Sequence, residues 1–373
     1  AEVLQDANFE RHIVVRRRKT SSPRLVHPHS LHVEGSRARE EGAIEQSGRL
    51  LQRALCLAPD NSICLTSYGK TLVEAERLED ALACFQRAVA ADPRDTRPRH
   101  ELGRLLCRLG RYVEAVSCYQ GILRVHPADF SARQGLGRGY RGIGRLEDAA
   151  HTLRVATKQS PGEAEPWVEL ARTWNEMGRF RKAKSACQRA TRIEPRLPSV
   201  WRVMGWTCLS MDALDEAADA FRTAEKLLPG DSESLAGLAS IRLRDGDLAG
   251  AESLLAPLIE VGCRDPRVAT AYADLCVRQE RAREAVELLQ EVVTRPLGAS
   301  ERVRIAFGLG EVLEATHQPE QAMRAWRHAN ALLNPEFDAA LHTRRVDEVC
   351  QVWTRDLVRS LPRSGVSGRE LVF

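Results

Sequence analysis

No stretch of this 373-residue chain reaches the ~18 consecutive apolar residues of a membrane-spanning helix, so none is expected. A secretory signal is missing as well: the one apolar stretch near the start, Ile13 to Val15, runs straight into Arg16, Arg17, Arg18 and Lys19. The ten cysteines form no CxxC pair, and structural zinc needs closely spaced ligands, so neither a metal site nor a disulfide framework is expected. Cys84, Cys118, Cys187, Cys208 and Cys276 fall at helix packing positions, where a free thiol acts as a small hydrophobe. Reduced, cytoplasmic cysteines follow as the default. An excess of one charge is absent too: 55 Lys+Arg against 51 Asp+Glu leave +4, which implies no nucleic acid or other strong polyanion as partner. The ten histidines are scattered without paired carboxylates at ligand spacing, so no catalytic residue and no cofactor-binding residue is assigned.

What the chain does have is a period. A proline recurs every 34 residues, at Pro59, Pro93, Pro127, Pro161, Pro195 and Pro229. Five residues before each lies Ala54, Ala88, Ile122, Ala156, Ala190 or Ala224, and twelve before lies Ser47, Ala81, Ala115, Ala149, Ala183 or Ala217. A larger residue usually stands between them: Leu51, Phe85, Tyr119, Leu153, Cys187, Phe221. Each unit carries two stripes at helical spacing; in residues 96–129 these are Leu102, Gly103, Leu106 and then Val113, Ala115, Val116, Tyr119, Ile122. Gly110, Gly144, Gly178 and Gly246 lie between the helices, where the chain must turn sharply. Self-similarity at a fixed period means stacked supersecondary units.

This register resembles the tetratricopeptide (TPR) repeat. The resemblance implies an all-α fold, a right-handed superhelix of about nine helix-turn-helix units: 28–61, 62–95, 96–129, 130–163, 164–197, 198–231, 232–265, 266–302 and 303–336. About three extra residues, within Pro296 to Ser300, separate the last two and suggest a small break in the superhelix. Residues 1–27 fit no unit and read as a mobile leader. In such a superhelix the first helices line the concave face, and the ligand-facing places are the second, fifth, ninth, twelfth and thirteenth of each unit. They hold Arg97, His100, Arg104, Cys107 and Arg108, then Gln134, Arg138 and Arg141, and further on Arg172, Asn175, Arg202 and Trp206. Beyond these the wall is mixed, with Asp274, Glu311 and Glu314. Arginine pairs with carboxylates through a planar fork, so the expected occupant is a protein or peptide, acidic and extended. Repeats that clamp chaperone tails use Lys and Asn; here Asn is scarce, and that use is not expected.

After the last unit, residues 337–373 resemble the junction of bacterial TPR-sulfotransferases. Ala329-Asn330 would close the last repeat, and Phe337-Asp338, His342, Trp353 and Gly365 match the junction's later landmarks. The apolar Leu371, Val372 and Phe373 read as the start of a buried strand. The resemblance implies a substrate-recruiting N-terminal part, with a following domain that would use 3′-phosphoadenosine 5′-phosphosulfate. Pro362-Arg363-Ser364-Gly365 copies four letters of that domain's phosphate loop, but it lacks the preceding apolar strand and the Thr pair. No sulfate transfer is therefore expected of this chain alone. The alternative is a stand-alone scaffold for assembly of a secretion or envelope complex.

Overall fold

The structure, a computed structural model, describes residues 27–333, and the segment compared with the sulfotransferase junction lies outside them from Asn334 on. Among the described residues every element is an α-helix. The chain divides into two compact units, the division falling between Leu105 and Leu106 in the sequence.

The first unit contains α1 (Pro28–Glu40), α2 (Ile44–Leu57), α3 (Ser62–Glu74), α4 (Leu78–Ala91) and most of α5 (Arg97–Arg108). The second continues with α6 (Tyr112–Val125), α7 (Phe130–Gly142), α8 (Leu146–Gln159), α9 (Glu165–Glu176) and α10 (Phe180–Ile193). It goes on through α11 (Pro198–Ser210), α12 (Leu214–Leu227), α13 (Ser232–Arg244) and α14 (Leu248–Glu260). It ends with α15 (Pro266–Arg278), α16 (Ala282–Val293), α17 (Ala299–Ala315) and α18 (Pro319–Leu333). These eighteen helices form nine consecutive pairs.

One contact recurs from pair to pair. A small residue on the first helix receives a side chain from the second, sixteen residues later; it is glycine in five of the described pairs, and Ala171, Ala239 and Ala273 hold the same place in three others. A Cβ on Gly69 would stand 2.5 Å from the Phe85 ring, one on Gly137 2.6 Å from Leu153, and one on Gly205 2.6 Å from Phe221. Gly35 holds Leu51, and Gly310 holds Trp326, in the same way. The small residues flanking the large one let the helices close around it: Ala81, Ala88, Ala115, Ala149, Ala156, Ala183, Ala190, Ala217 and Ala224 are fully buried. Val113, expected on the buried stripe of α6, is exposed instead, in the first turn of that helix.

The turn within each pair is equally regular. Gly42, Gly110, Gly144, Gly178 and Gly246 have positive φ, as do Glu76, Asp212, Glu280 and His317 at the matching places of the other pairs. Left-handed backbone is costly for a residue with a Cβ, so these four hold it only because the flanking helices impose it. The extra residues before α17 do not break the stack: α17 packs on both α15 and α16, and starts at Ala299 rather than near Val303.

Two mutations test this packing. Ala115→Trp is expected to destabilise the protein by about 1–3 kcal/mol or more by overpacking, read as a lower thermal midpoint. Glu280→Gly is expected to stabilise it by up to about 1 kcal/mol by relieving the left-handed backbone, read in a denaturant titration.

Candidate functional site

In the second unit the first helices of the pairs form an inner layer. Helices α7, α9, α11, α13, α15 and α17 touch in that order, and α17 also comes back to α7. The inner layer thus closes on itself around a cavity of about 180 Å³. Every one of those helices contributes to its wall, including Arg141, Arg172, Asn175 and Trp206 from the places assigned on sequence. Arg138, Arg141, Cys107 and Arg108 line an adjoining recess of about 280 Å³. Gln134 lies half-buried on α7, one turn before Arg138. Arg97, His100 and Arg104 belong to the first unit, where Arg97 pairs with Asp95 at 2.9 Å and Arg104 with Glu101 at 3.5 Å.

The arginines of the second unit are matched by carboxylates. Arg138 bonds Glu165 at 2.6 Å and Glu169 at 3.0 Å, while Arg141 reaches Glu169 at 3.2 Å and Glu176 at 2.9 Å. Burial works against ionisation of Glu169, but Arg141 and Arg138 outweigh it and hold the carboxyl below its usual range. Burial above all pushes the Cys107 thiol beside them up to about 11, against the pull of Arg138 and Arg141, so it stays protonated near neutral pH. Arg202 bonds Asp231 at 2.9 Å and approaches Glu233 at 3.6 Å.

Glu233 is the second such centre. Burial again opposes its charge, and Arg172, Arg267, Arg202 and Arg304 overcome it, so its carboxyl too is held low. Arg267 lies 3.2 Å from Glu233 and stacks over the Trp206 ring at 4.1 Å. Glu233, Arg267 and Arg304 were not singled out on sequence, although the signal was there. Each is the second residue of its unit, the same ligand-facing place as Arg97, and Arg304 appears once the three extra residues are allowed for. Glu176 also stands at such a place, the thirteenth of its unit, whereas Glu169, the sixth, carried no such signal.

Closure of the layer depends on the extra residues. Ser300 donates a hydrogen bond to Glu176 at 2.6 Å across 124 residues of sequence. A Cβ on Gly110 would stand 2.8 Å from Pro296 Cβ, and one on Gly144 3.2 Å from Ala299 Cβ. Residues 296–301 therefore form a clasp against the third to fifth helix pairs.

The comparisons with known proteins agree with this layout. A tetratricopeptide repeat family model matches residues 38–98, 72–138, 141–206 and 209–275. The chain belongs to the tetratricopeptide repeat family. It is similar to a TPR protein of Parabacteroides merdae, with 13% identity and a TM-score of 0.53 over 70% of this chain and 99% of that one. It is also similar to the APC/C hetero-tetramer Cut9–Hcn1, with 16% identity and a TM-score of 0.52 over 81% of this chain and 62% of that one. At these identities the likeness concerns the fold. No curated protein matches the chain. TPR repeats are scaffolds for protein–protein interaction, and no helix among the described residues is long and apolar enough to cross a membrane.

The clasp can be weighed by a matched pair of variants. Gly110 and Gly178 have nearly equal φ, +70° and +69°, but nothing lies within 4 Å of a Cβ on Gly178. Both Ala variants are expected to lose about 1 kcal/mol to backbone strain. Gly110→Ala is expected to lose measurably more in a thermal melt, because it also pushes against Pro296.

Proposed function

We propose that the concave face of the second unit binds an extended protein or peptide segment of acidic character. We propose further that the chain is the substrate-recruiting part of a sulfotransferase-family protein. The first reading is carried by one observation: first helices of six pairs converge on a single cavity with arginine, asparagine and tryptophan on its wall. A planar guanidinium suits carboxylates, and Trp206 offers a flat apolar surface for a neighbouring side chain.

The second reading rests on the resemblance of Ala329-Asn330 and the residues after it to the sulfotransferase junction. Ala329 is fully buried near the end of the ninth pair, at the place that Ala190 and Ala224 hold in theirs. The described residues hold no strand and no phosphate loop, and Pro362–Gly365 lies outside them. Hence no residue is assigned to 3′-phosphoadenosine 5′-phosphosulfate, and no step is derived through it. The reading frame beyond Phe373 tests this part: a strand entering Gly-x-Pro-Arg-Ser-Gly-Thr-Thr is expected.

Titration calorimetry tests the binding reading. An Asp/Glu-rich peptide is expected to bind more tightly than a neutral one of equal length, and to weaken as salt screens charge over ~8–10 Å. Asn175→Asp adds a carboxylate to the wall and is expected to weaken the acidic peptide about tenfold while leaving the neutral one unchanged. Equal affinity for both peptides would remove the acidic preference. Binding of no peptide at all would favour a scaffold that docks folded partners.

A further inference from the structure

The charged groups on the cavity wall do not balance as hydrogen-bonding groups. Every carboxylate there is committed. Glu176 bonds Arg141 and Ser300, and Glu301 accepts from the Gly298 amide at 2.9 Å. Asp265 caps α15, taking the Arg267 and Val268 amides at 2.8 and 3.3 Å. Glu233 is shared among arginines, with Arg267 at 3.2 Å, Arg202 at 3.6 Å and Arg172 at 3.8 Å.

Donors remain. Arg304 makes no hydrogen bond or ion pair among the described residues, although it faces the cavity. The Trp206 Nε1 and the Arg202 Nε are buried without a partner. Unmet buried donors of this kind cost free energy unless an acceptor arrives. The crowding also appears in Arg267, which burial first, and the nearby Arg304 next, push down to about 9. A group that ionises this reluctantly is one that an added negative charge would relieve.

We propose that Arg172, Arg267 and Arg304, around Trp206, form a binding site for a tetrahedral oxyanion, a phosphate group. The three forks come from three different helices, α9, α15 and α17. All three line the cavity, and a tetrahedral oxyanion offers acceptor oxygens to three separate forks where a carboxylate has only two. About 180 Å³ is room for such a group and a few waters. The same chemistry could come from a phosphorylated side chain of a bound peptide or from the free ion. This inference deepens the concave-face reading, because it names a group that the cavity would recognise.

Calorimetry with inorganic phosphate tests the site without any peptide. Phosphate is expected to bind and to raise the thermal midpoint of the purified chain. Arg304→Gln removes no ion pair of the fold and is expected to weaken phosphate about tenfold or more with an unchanged melt in its absence; Arg172→Gln is expected to act in the same direction. The source is settled by comparing a phosphoserine peptide with its Ser and Glu versions. Tighter binding of the phosphopeptide than of phosphate assigns the group to a peptide, and the reverse assigns it to the free ion. Absence of phosphate binding, or binding unchanged in Arg304→Gln, overturns the site. If peptides still bind while phosphate does not, the oxyanion site fails and the concave-face reading stands.

Discussion

The contact between a small residue, most often glycine, and the side chain sixteen residues after it sets the rest of this molecule. It fixes how closely the two helices of a pair approach, because no Cβ can stand between Gly205 and Phe221 or between Gly69 and Phe85. Phe221 also fills the space over Gly237 of the next pair, so the same ring sets the step from one pair to the next. The aim of every side chain on the inner layer follows from these two spacings. Dense packing leaves little freedom for either to drift.

The inner layer turns this regularity into a surface. Residues 34 apart face the same way, so a charge that recurs at one place of the repeat becomes a row. The chain places arginines on that row and then answers most of them with carboxylates one pair further on: Arg138 with Glu165, Arg202 with Asp231 and Glu233. The result is a wall ordered largely by ion pairs, with unmet donors left near Trp206 and along the Arg138 and Arg141 side chains. Half-buried pairs of this sort add little net stability, but they hold side chains in defined positions.

The fold was legible because the period is carried by residues whose roles are steric. Proline, glycine and alanine cannot be exchanged freely at a helix end, a left-handed turn or a close approach, so their spacing states the architecture. The concave face was legible in part. Arg141, Arg172, Asn175 and Trp206 line the cavity from places that the register named. The ion pairs were not legible, since whether Glu169 meets Arg138 and Arg141 depends on the angle between neighbouring helices rather than on any local pattern. The same holds for the clasp. A three-residue insertion looks like a break when read along the chain, and only the curvature of the stack brings Pro296 to Gly110 and Ser300 to Glu176.

That clasp changes how the second unit can fold. A solenoid whose pairs touch only their neighbours behaves as a one-dimensional array; it can start folding anywhere and fray from either end. A bond between Ser300 and Glu176 ties positions 124 residues apart, so the intervening pairs are bounded by contacts on both sides. Such long-range contacts raise contact order and slow the final step of folding, because the loop must close before it is rewarded. In return, local opening of an inner pair must strain a closed loop, and the array moves from fraying pair by pair toward unfolding as one.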